Sequence, residues 1–507
     1  MNSPGVQVEQ CDVCIVGAGI AGLNALFVAS RYLSRNQKVV LIDRRQRVGG
    51  MWVDTYPYVR LHQPYGFFTA GNIKWTLDAK PLYLATKEEV LDHLGHCFDV
   101  VKERVQLASY FDWEFESCDE SVGKVRITAR SMDGRPLVVE AQRLIKTYGV
   151  QVTPNEPLQI SSTRVISVSP DYCDMRGEEV KAGSTPVWVI GGGKTAMDTA
   201  HTLITACPGR EVNLIAGPGT FFLNRDRMFP AGIRRWWTGK EATSMFLEMA
   251  RRFDGNNEAN VQKWFRDGFC TWLTPEASNF LFGILSESEA KTIAEGLNAV
   301  VMDRFVDVVD RDGVTELVFR SGSTRSIPPG SWIVNCTGYL FHGRHPYEPY
   351  VSDGGAVMSV QPRSATLQLS SVQAYFMTHL MFLDRLRDAP LYELDAQEMR
   401  LKANVAFPYA LAALSQHNLS VISDIVPAKV FSDCGLDFSR WYPFPRRMMG
   451  TTQFMLRHRR DRAHHRRTLD TVRERFDVRC GPLGNGKTPA WSDGQLGKPN
   501  AAQRRSK

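Results

Sequence analysis

At 507 residues, 43% of them apolar, 10% aromatic and 23% charged, the chain exceeds what one hydrophobic core supports; two or three domains able to enclose cofactors are expected. No apolar run is long enough to span a bilayer, and the opening MNSPGVQVEQ has neither a basic start nor an apolar segment, so no membrane anchor is expected and the expected location is cytoplasmic. The net charge of +7 is concentrated near the C-terminus, and no nucleic-acid partner is expected.

The first predicted element, DVCIV, reads as a buried parallel strand. It holds Cys11 and Cys14, the only C-x-x-C among ten scattered cysteines. Residues three apart on a strand point to opposite faces, which suits packing rather than a disulfide or a metal, and no metal site is expected. Gly17, Gly19 and Gly22 then form G-x-G-x-x-G, with an apolar helix from about Ile20 to Tyr32. A second buried strand, KVVLID, ends in Asp43, about twenty residues beyond the last glycine. Strand, turn, helix and acid are in the register of a dinucleotide site, where bare backbone and a helix N-terminus meet the pyrophosphate and the carboxylate meets the ribose.

Next come Gly49 and Gly50, which clear side chains where something large must fit, and then Trp52, Tyr56, Tyr58, Tyr65, Phe67 and Phe68. An aromatic-walled cavity for a flat ring system is expected, with Gly50 and Trp52 among its contacts. A second strand, turn and helix follows in PVWVIGGGKTAMDTAHTL. There Gly191, Gly193 and Ala196 give G-x-G-x-x-A, with Lys194 and Thr195 in the turn. Two nucleotide sites in one chain fit a hydride donor and a tightly held acceptor.

Near the C-terminus, RRMMGTTQFMLRHRRDRAHHRRTLDTVRERFDVR predicts a helix with Leu456, Leu469, Val472 and Phe476 on an apolar side and a solvated Arg face; contact with a membrane surface is one use for such charge. The stretch from 484 to 507, rich in Gly, Pro and Lys, reads as a disordered tail.

The glycine turn, the acid and the following G-G-x-W resemble the FAD-binding opening of class B flavin-dependent monooxygenases, the group of flavin-containing and Baeyer–Villiger enzymes. GGGKTA resembles their NADPH fingerprint, in which the acid at Asp198 is also common. The resemblance covers residues 10 to about 390 and implies an α/β fold with two Rossmann-like dinucleotide-binding domains, the NAD(P)H domain inserted in the FAD domain, plus a mostly helical C-terminal region. The expected boundaries are 8–183 and 327–420 for the two FAD pieces, 184–326 for the NAD(P)H domain and 421–507 for a helical basic extension. KTYGVQVTPNEP resembles the family's strand leading into the insertion. Thr337, Gly338 and Tyr339 resemble the strand that returns to the FAD domain, with Gly338 a cofactor contact.

The implied activity is an FAD- and NADPH-dependent monooxygenase that uses dioxygen to place one oxygen atom in a small organic substrate through an oxygenated flavin. An NAD(P)H-dependent flavin oxidoreductase or oxidase without oxygen insertion is the alternative, and a non-catalytic FAD-binding protein a further one. Two features depart from the family. The Baeyer–Villiger F-x-G-x-x-x-H fingerprint is missing from PLQISSTRVISVSPDY, and RLHQP stands where flavin-containing monooxygenases place Asn before Pro. Arg60, His62 and Gln63 are therefore the candidate catalytic residues beside the flavin ring. Ala216 and Gly217 stand where an NADPH-reading Arg is expected, leaving Lys194, Arg225 and Arg227 as candidate phosphate partners.

Overall fold

The computed structural model describes residues 7–149, 152–338 and 346–483. Its first sheet is built around the strand Gln7–Val16, which pairs in parallel with Lys38–Asp43 on one side and Pro136–Lys146 on the other. Gln106–Phe111 extends the sheet beyond Lys38–Asp43, and an antiparallel meander, Trp113–Ser121 and Lys124–Ser131, leads into Pro136–Lys146. Val16, Ile42 and Leu144 pack on one face of this sheet and Val13, Ile15 and Leu41 on the other, so both faces are covered, as a parallel sheet requires. Much later in the chain, Val357–Ser359 pairs in parallel with the end of Pro136–Lys146. The first domain is therefore made of two separated pieces.

The second sheet has five parallel strands in the order 299–301, 212–215, 187–190, 332–335, 166–168. All four residues of Val187–Ile190 are buried, as a central strand demands. The expected boundaries at 184 and 326 fall inside this unit, because its sheet recruits Ile166–Val168 before them and Trp332–Asn335 after them. The WIVN segment thus closes the second sheet rather than re-entering the first; single-sequence reading could not see which neighbour its backbone would find. Tyr339 lies outside the described residues.

The C-terminal part is helical. Phe407–Ile425 is almost wholly buried and packs against Ala242–Arg252 and against the 33-residue helix Phe444–Phe476. The boundary expected at 420/421 falls inside Phe407–Ile425. On the long helix Leu469 and Val472 are buried and Phe476 packs against the same core, but Leu456 is exposed, since the first half of this helix runs past the edge of the core. Its arginines are tied to the body as well as solvated: Arg459 and Arg462 meet Asp424, and Arg475 meets Glu258. The expected tail from 484 lies outside the described residues. No described helix is long and apolar enough to cross a membrane.

Candidate functional site

The two glycine turns have nearly the same backbone. Gly17 and Gly191 both hold positive φ, +101° and +130°, and a Cβ on either would press within 2.7 Å of a carbonyl oxygen, that of Thr147 or Cys336. Gly19 and Gly193 are the N-caps of helices Ile20–Tyr32 and Lys194–Ala206, with φ, ψ of −81°, −174° and −82°, −176°. Neither helix start receives a side-chain cap, so the first N–H groups of both helices remain available to an anion. A Cβ on Gly22 would overlap the Gly17 carbonyl oxygen, while Ala196 fits its place fully buried.

In the first turn Asp43 is buried. Its Oδ2 accepts from the Ala18 amide at 2.5 Å and its Oδ1 from the Arg45 amide at 2.8 Å, which fixes the carboxylate at the mouth of the turn. Gly50, with φ of +57°, brings its Cα against Gly19; a Cβ on Gly50 would lie 2.7 Å from the Gly19 Cα. The two glycines are mutually required by a backbone crossing at the helix N-terminus.

The aromatic run does not line one cavity. It divides among three cores because the segment 51–68 threads between them. Trp52 packs edge-on to Phe68 in the first domain, 5.6 Å between centroids. Tyr56 and Tyr58 enter the core of the second domain. Phe67 stacks on Phe229 at 5.7 Å beneath the C-terminal helices. The tyrosine hydroxyls reach the second cradle's helix: Tyr56 donates to Asp198 Oδ2 at 2.9 Å, and Tyr58 is 2.8 Å from Thr199 Oγ1. Thr195 also bonds the Tyr56 hydroxyl. Asp198 in turn holds the Lys194 ammonium.

This threading carries His62 to the second cradle. Burial pushes the imidazole down to about 3, and Lys194 and Arg225 add to the effect while Glu289 opposes it. Arg225, only 7% exposed, donates from Nε to the His62 carbonyl oxygen at 2.6 Å and pairs through Nη1 with Glu289 Oε2 at 2.8 Å. Its Nη2 is buried with no hydrogen-bond partner. Burial raises the Glu289 carboxyl, but Arg225 and Lys194 outweigh this and hold it below its ordinary value. The result is a neutral imidazole among two fixed cations and one carboxylate at an uncapped helix N-terminus.

Of the other expected catalytic residues, Arg60 is exposed and its guanidinium lies 5.5 Å from the centre of the Tyr83 ring, so it does not join His62. Gln63 is half-buried. Arg227 is exposed and donates to the Gly268 carbonyl. Gly338 is exposed with φ of +85° at the end of a described stretch. Cys11 and Cys14 pack against one apolar cluster rather than two, contrary to the simple alternation. Both are nevertheless free thiols, Cys11 pushed up to about 12 by burial and Cys14 raised too, so the pair is not a reactive dithiol.

Two contributors were not identified as site residues from the sequence. Glu289 belongs to S-E-S-E, a capping box whose Ser286 opens the helix Glu287–Gly296; the motif signals a helix start and says nothing of Arg225. Arg304 has its Cγ 4.0 Å from where a Gly217 Cβ would stand, just past the strand Val212–Ile215. The stem of an arginine from a chain segment almost ninety residues later thus lies beside the position the sequence left to Ala216 and Gly217.

Residues 11–263 match the family model of the pyridine nucleotide-disulphide oxidoreductases, so this stretch carries an oxidoreductase domain of that kind. Uncharacterized proteins of Mycobacterium tuberculosis and Mycobacterium bovis are 29% identical over 213 residues; the match covers 40% of this chain and 37% of theirs. Among solved structures, a flavin-containing monooxygenase from Stenotrophomonas maltophilia is 14% identical with a TM-score of 0.45, over 74% of this chain and 99% of that one. A steroid monooxygenase bound to NADP is 15% identical with a TM-score of 0.49, over 78% and 91%. A bacillithiol disulfide reductase from Staphylococcus aureus is 11% identical with a TM-score of 0.45, over 75% and 99%. These structural likenesses decide neither reaction nor substrate.

Proposed function

We propose that this oxidoreductase is an FAD-dependent monooxygenase that takes hydride from NAD(P)H, NADPH by preference, and uses dioxygen to oxygenate a small organic substrate. The observation that carries the reading is the His62 segment, which runs from the first glycine turn's domain to Lys194 and Arg225 at the second. It joins two nucleotide cradles at one charged junction.

The residues present fit the two nucleotides. At the first turn the uncapped helix and the backbone crossing of Gly19 and Gly50 leave amides for a pyrophosphate, and each Asp43 oxygen keeps a lone pair for a ribose hydroxyl. At the second turn the helix N-terminus and Lys194 favour an anion, and Arg304 favours a phosphate on the adenosine ribose. Bound FAD supplies the electron acceptor and the oxygen chemistry. The chain's own part is to bind, orient and exclude water. Tyr56 and Lys194 hold Asp198 from two sides and so fix the start of the helix. Arg225 Nη2 offers an unused buried donor, worth more in a site closed to water than on a surface. His62, neutral at working pH, offers one N–H and one acceptor without adding a third positive charge.

Anaerobic mixing of the purified flavin-loaded protein with NADPH and with NADH, followed by dioxygen and panels of amines, sulfides and ketones, tests the reading. Rapid reduction by NADPH and at least one oxygenated product are expected. Return of all electrons as hydrogen peroxide with every panel member would instead make the protein an oxidase or flavin reductase. A folded protein that binds no FAD would overturn the reading altogether.

A further inference from the structure

Apolar side chains scattered singly over a surface need no explanation, but here several are gathered on two adjoining segments. The one-turn helix Gly232–Trp236 exposes Ile233, Trp236 and the following Trp237, which is 71% exposed. The long C-terminal helix begins beside it and exposes Phe444, 68% exposed, with Met448 and Met449. Arg446 joins the two, donating to the carbonyls of Arg235, Thr238 and Gly239 at 2.7–3.1 Å. Beneath them Trp441 Nε1 donates to the Pro230 carbonyl at 3.0 Å and the Tyr442 hydroxyl to the Met228 carbonyl at 2.9 Å. The patch is therefore carried on a fixed base.

Charge selects what covers it. Arg234 and Arg235 are exposed between the apolar residues and make no ion pair among the described residues. A second copy of this chain meeting the patch face to face would bring the same arginines together, which like charges oppose. The segment 484–507 carries five Lys or Arg and one Asp, so it offers no better match. Indole rings and thioether chains beside unpaired guanidiniums suit the boundary of an anionic bilayer, where rings enter at headgroup depth and arginines meet phosphate.

We infer that this protein docks peripherally on anionic membranes through Ile233, Trp236, Trp237, Phe444 and Met449, with Arg234 and Arg235 on the lipid headgroups. This surface lies at the start of the long helix, away from the Arg459, Arg462 and Arg475 that are tied to the body, and it is independent of the reaction proposed above.

Co-sedimentation of the full chain with vesicles of mixed phosphatidylglycerol and phosphatidylcholine tests the inference, with pure phosphatidylcholine vesicles and high salt as comparisons. Binding to the mixed vesicles, weak binding to the neutral ones and release by salt are expected. Trp236→Ser with Trp237→Ser should lower the partition coefficient by about tenfold or more, and so should Phe444→Ser with Met449→Ser. Each double variant should keep the wild-type thermal transition, because the replaced side chains face solvent. Absence of the full chain from the anionic pellet would overturn the inference, as would wild-type binding by both double variants. A concentration-dependent dimer abolished by both would also overturn it, by making a second copy the occupant.

Discussion

Individual glycines in the two turns carry different loads. Alanine at Gly22 would overlap the Gly17 carbonyl, a rigid backbone atom, so Gly22→Ala should lose more than about 3 kcal/mol in urea unfolding or fail to fold. Gly193 has an ordinary extended φ, and a Cβ there would meet only Leu281 Cδ1 at 4.0 Å. Gly193→Ala should stay within about 1 kcal/mol of wild type yet raise the NADPH concentration needed for half-maximal reduction by about tenfold, since the methyl group stands where the phosphate must approach. Arg304→Ala should weaken NADPH about tenfold while leaving NADH within about twofold, measured as the two KM values. His62 makes a pH prediction. Its folded value near 3 lies below its ordinary 6.5, so it stays neutral from pH 6 to 9. His62→Gln should therefore slow flavin reduction without moving any ionisation in that window. A wild-type ionisation near 6.5 that disappears in the variant would contradict the enclosed site.

Helices and strands were legible where their local pattern agreed with their packing. The spans Ile20–Tyr32 and Lys38–Asp43 have the limits read from the sequence, since a buried strand ending in an acid and an apolar helix opening on glycine have few alternatives. The long C-terminal helix was legible as a helix, and so was the C-terminal part of its buried face, Leu469, Val472 and Phe476, but periodicity also placed Leu456 there, whereas the structure exposes Leu456 and buries His458 and His465. Buried polar residues of this kind answer to partners far away in sequence. Asn418, on the helix Phe407–Ile425, shows the same dependence. Its Oδ1 accepts from the Tyr392 amide at 2.9 Å, and its Nδ2 donates to the Thr366 and Tyr392 carbonyls at 2.7 Å each. Asn418→Ala leaves three buried backbone groups without partners and should cost about 2–4 kcal/mol, read as a lower urea midpoint with an unchanged slope.

At the scale of the molecule, one buried carboxyl near the C-terminal end should make stability depend on pH. Glu393 lies on the strand Tyr392–Leu394, which pairs with Cys480–Pro482. It accepts from the Tyr347 hydroxyl and, at 3.4 Å, from the Tyr350 amide. Burial raises it from an ordinary 4.5 to about 7, although both bonds and Arg479 act to lower it. The folded chain then holds a proton that the unfolded chain has released. Its contribution to stability is present below about pH 4.5 and is lost as the pH rises to about 7, with no further change above. Glu393→Gln should remove this slope, which is worth about 3 kcal/mol at most, when urea midpoints are compared at pH 5 and pH 8.

The sequence by itself determined what depends on neighbours within some twenty residues: two strand–glycine–helix turns, the acid after the first, and the α/β class. The turns are set by steric demands on a short backbone, where glycine passes a carbonyl oxygen closely and holds a positive φ at no steric cost. Tertiary structure alone decided that Trp332–Asn335 joins the second sheet between Val187–Ile190 and Ile166–Val168, that the Arg304 stem comes beside Gly217, and that Arg225 and Glu289 lie near His62 while Arg60 does not. These are meetings of segments from about sixty to more than two hundred residues apart. Nothing in local periodicity distinguishes such outcomes, because they are fixed by which apolar surfaces remain to be covered after the two sheets have formed.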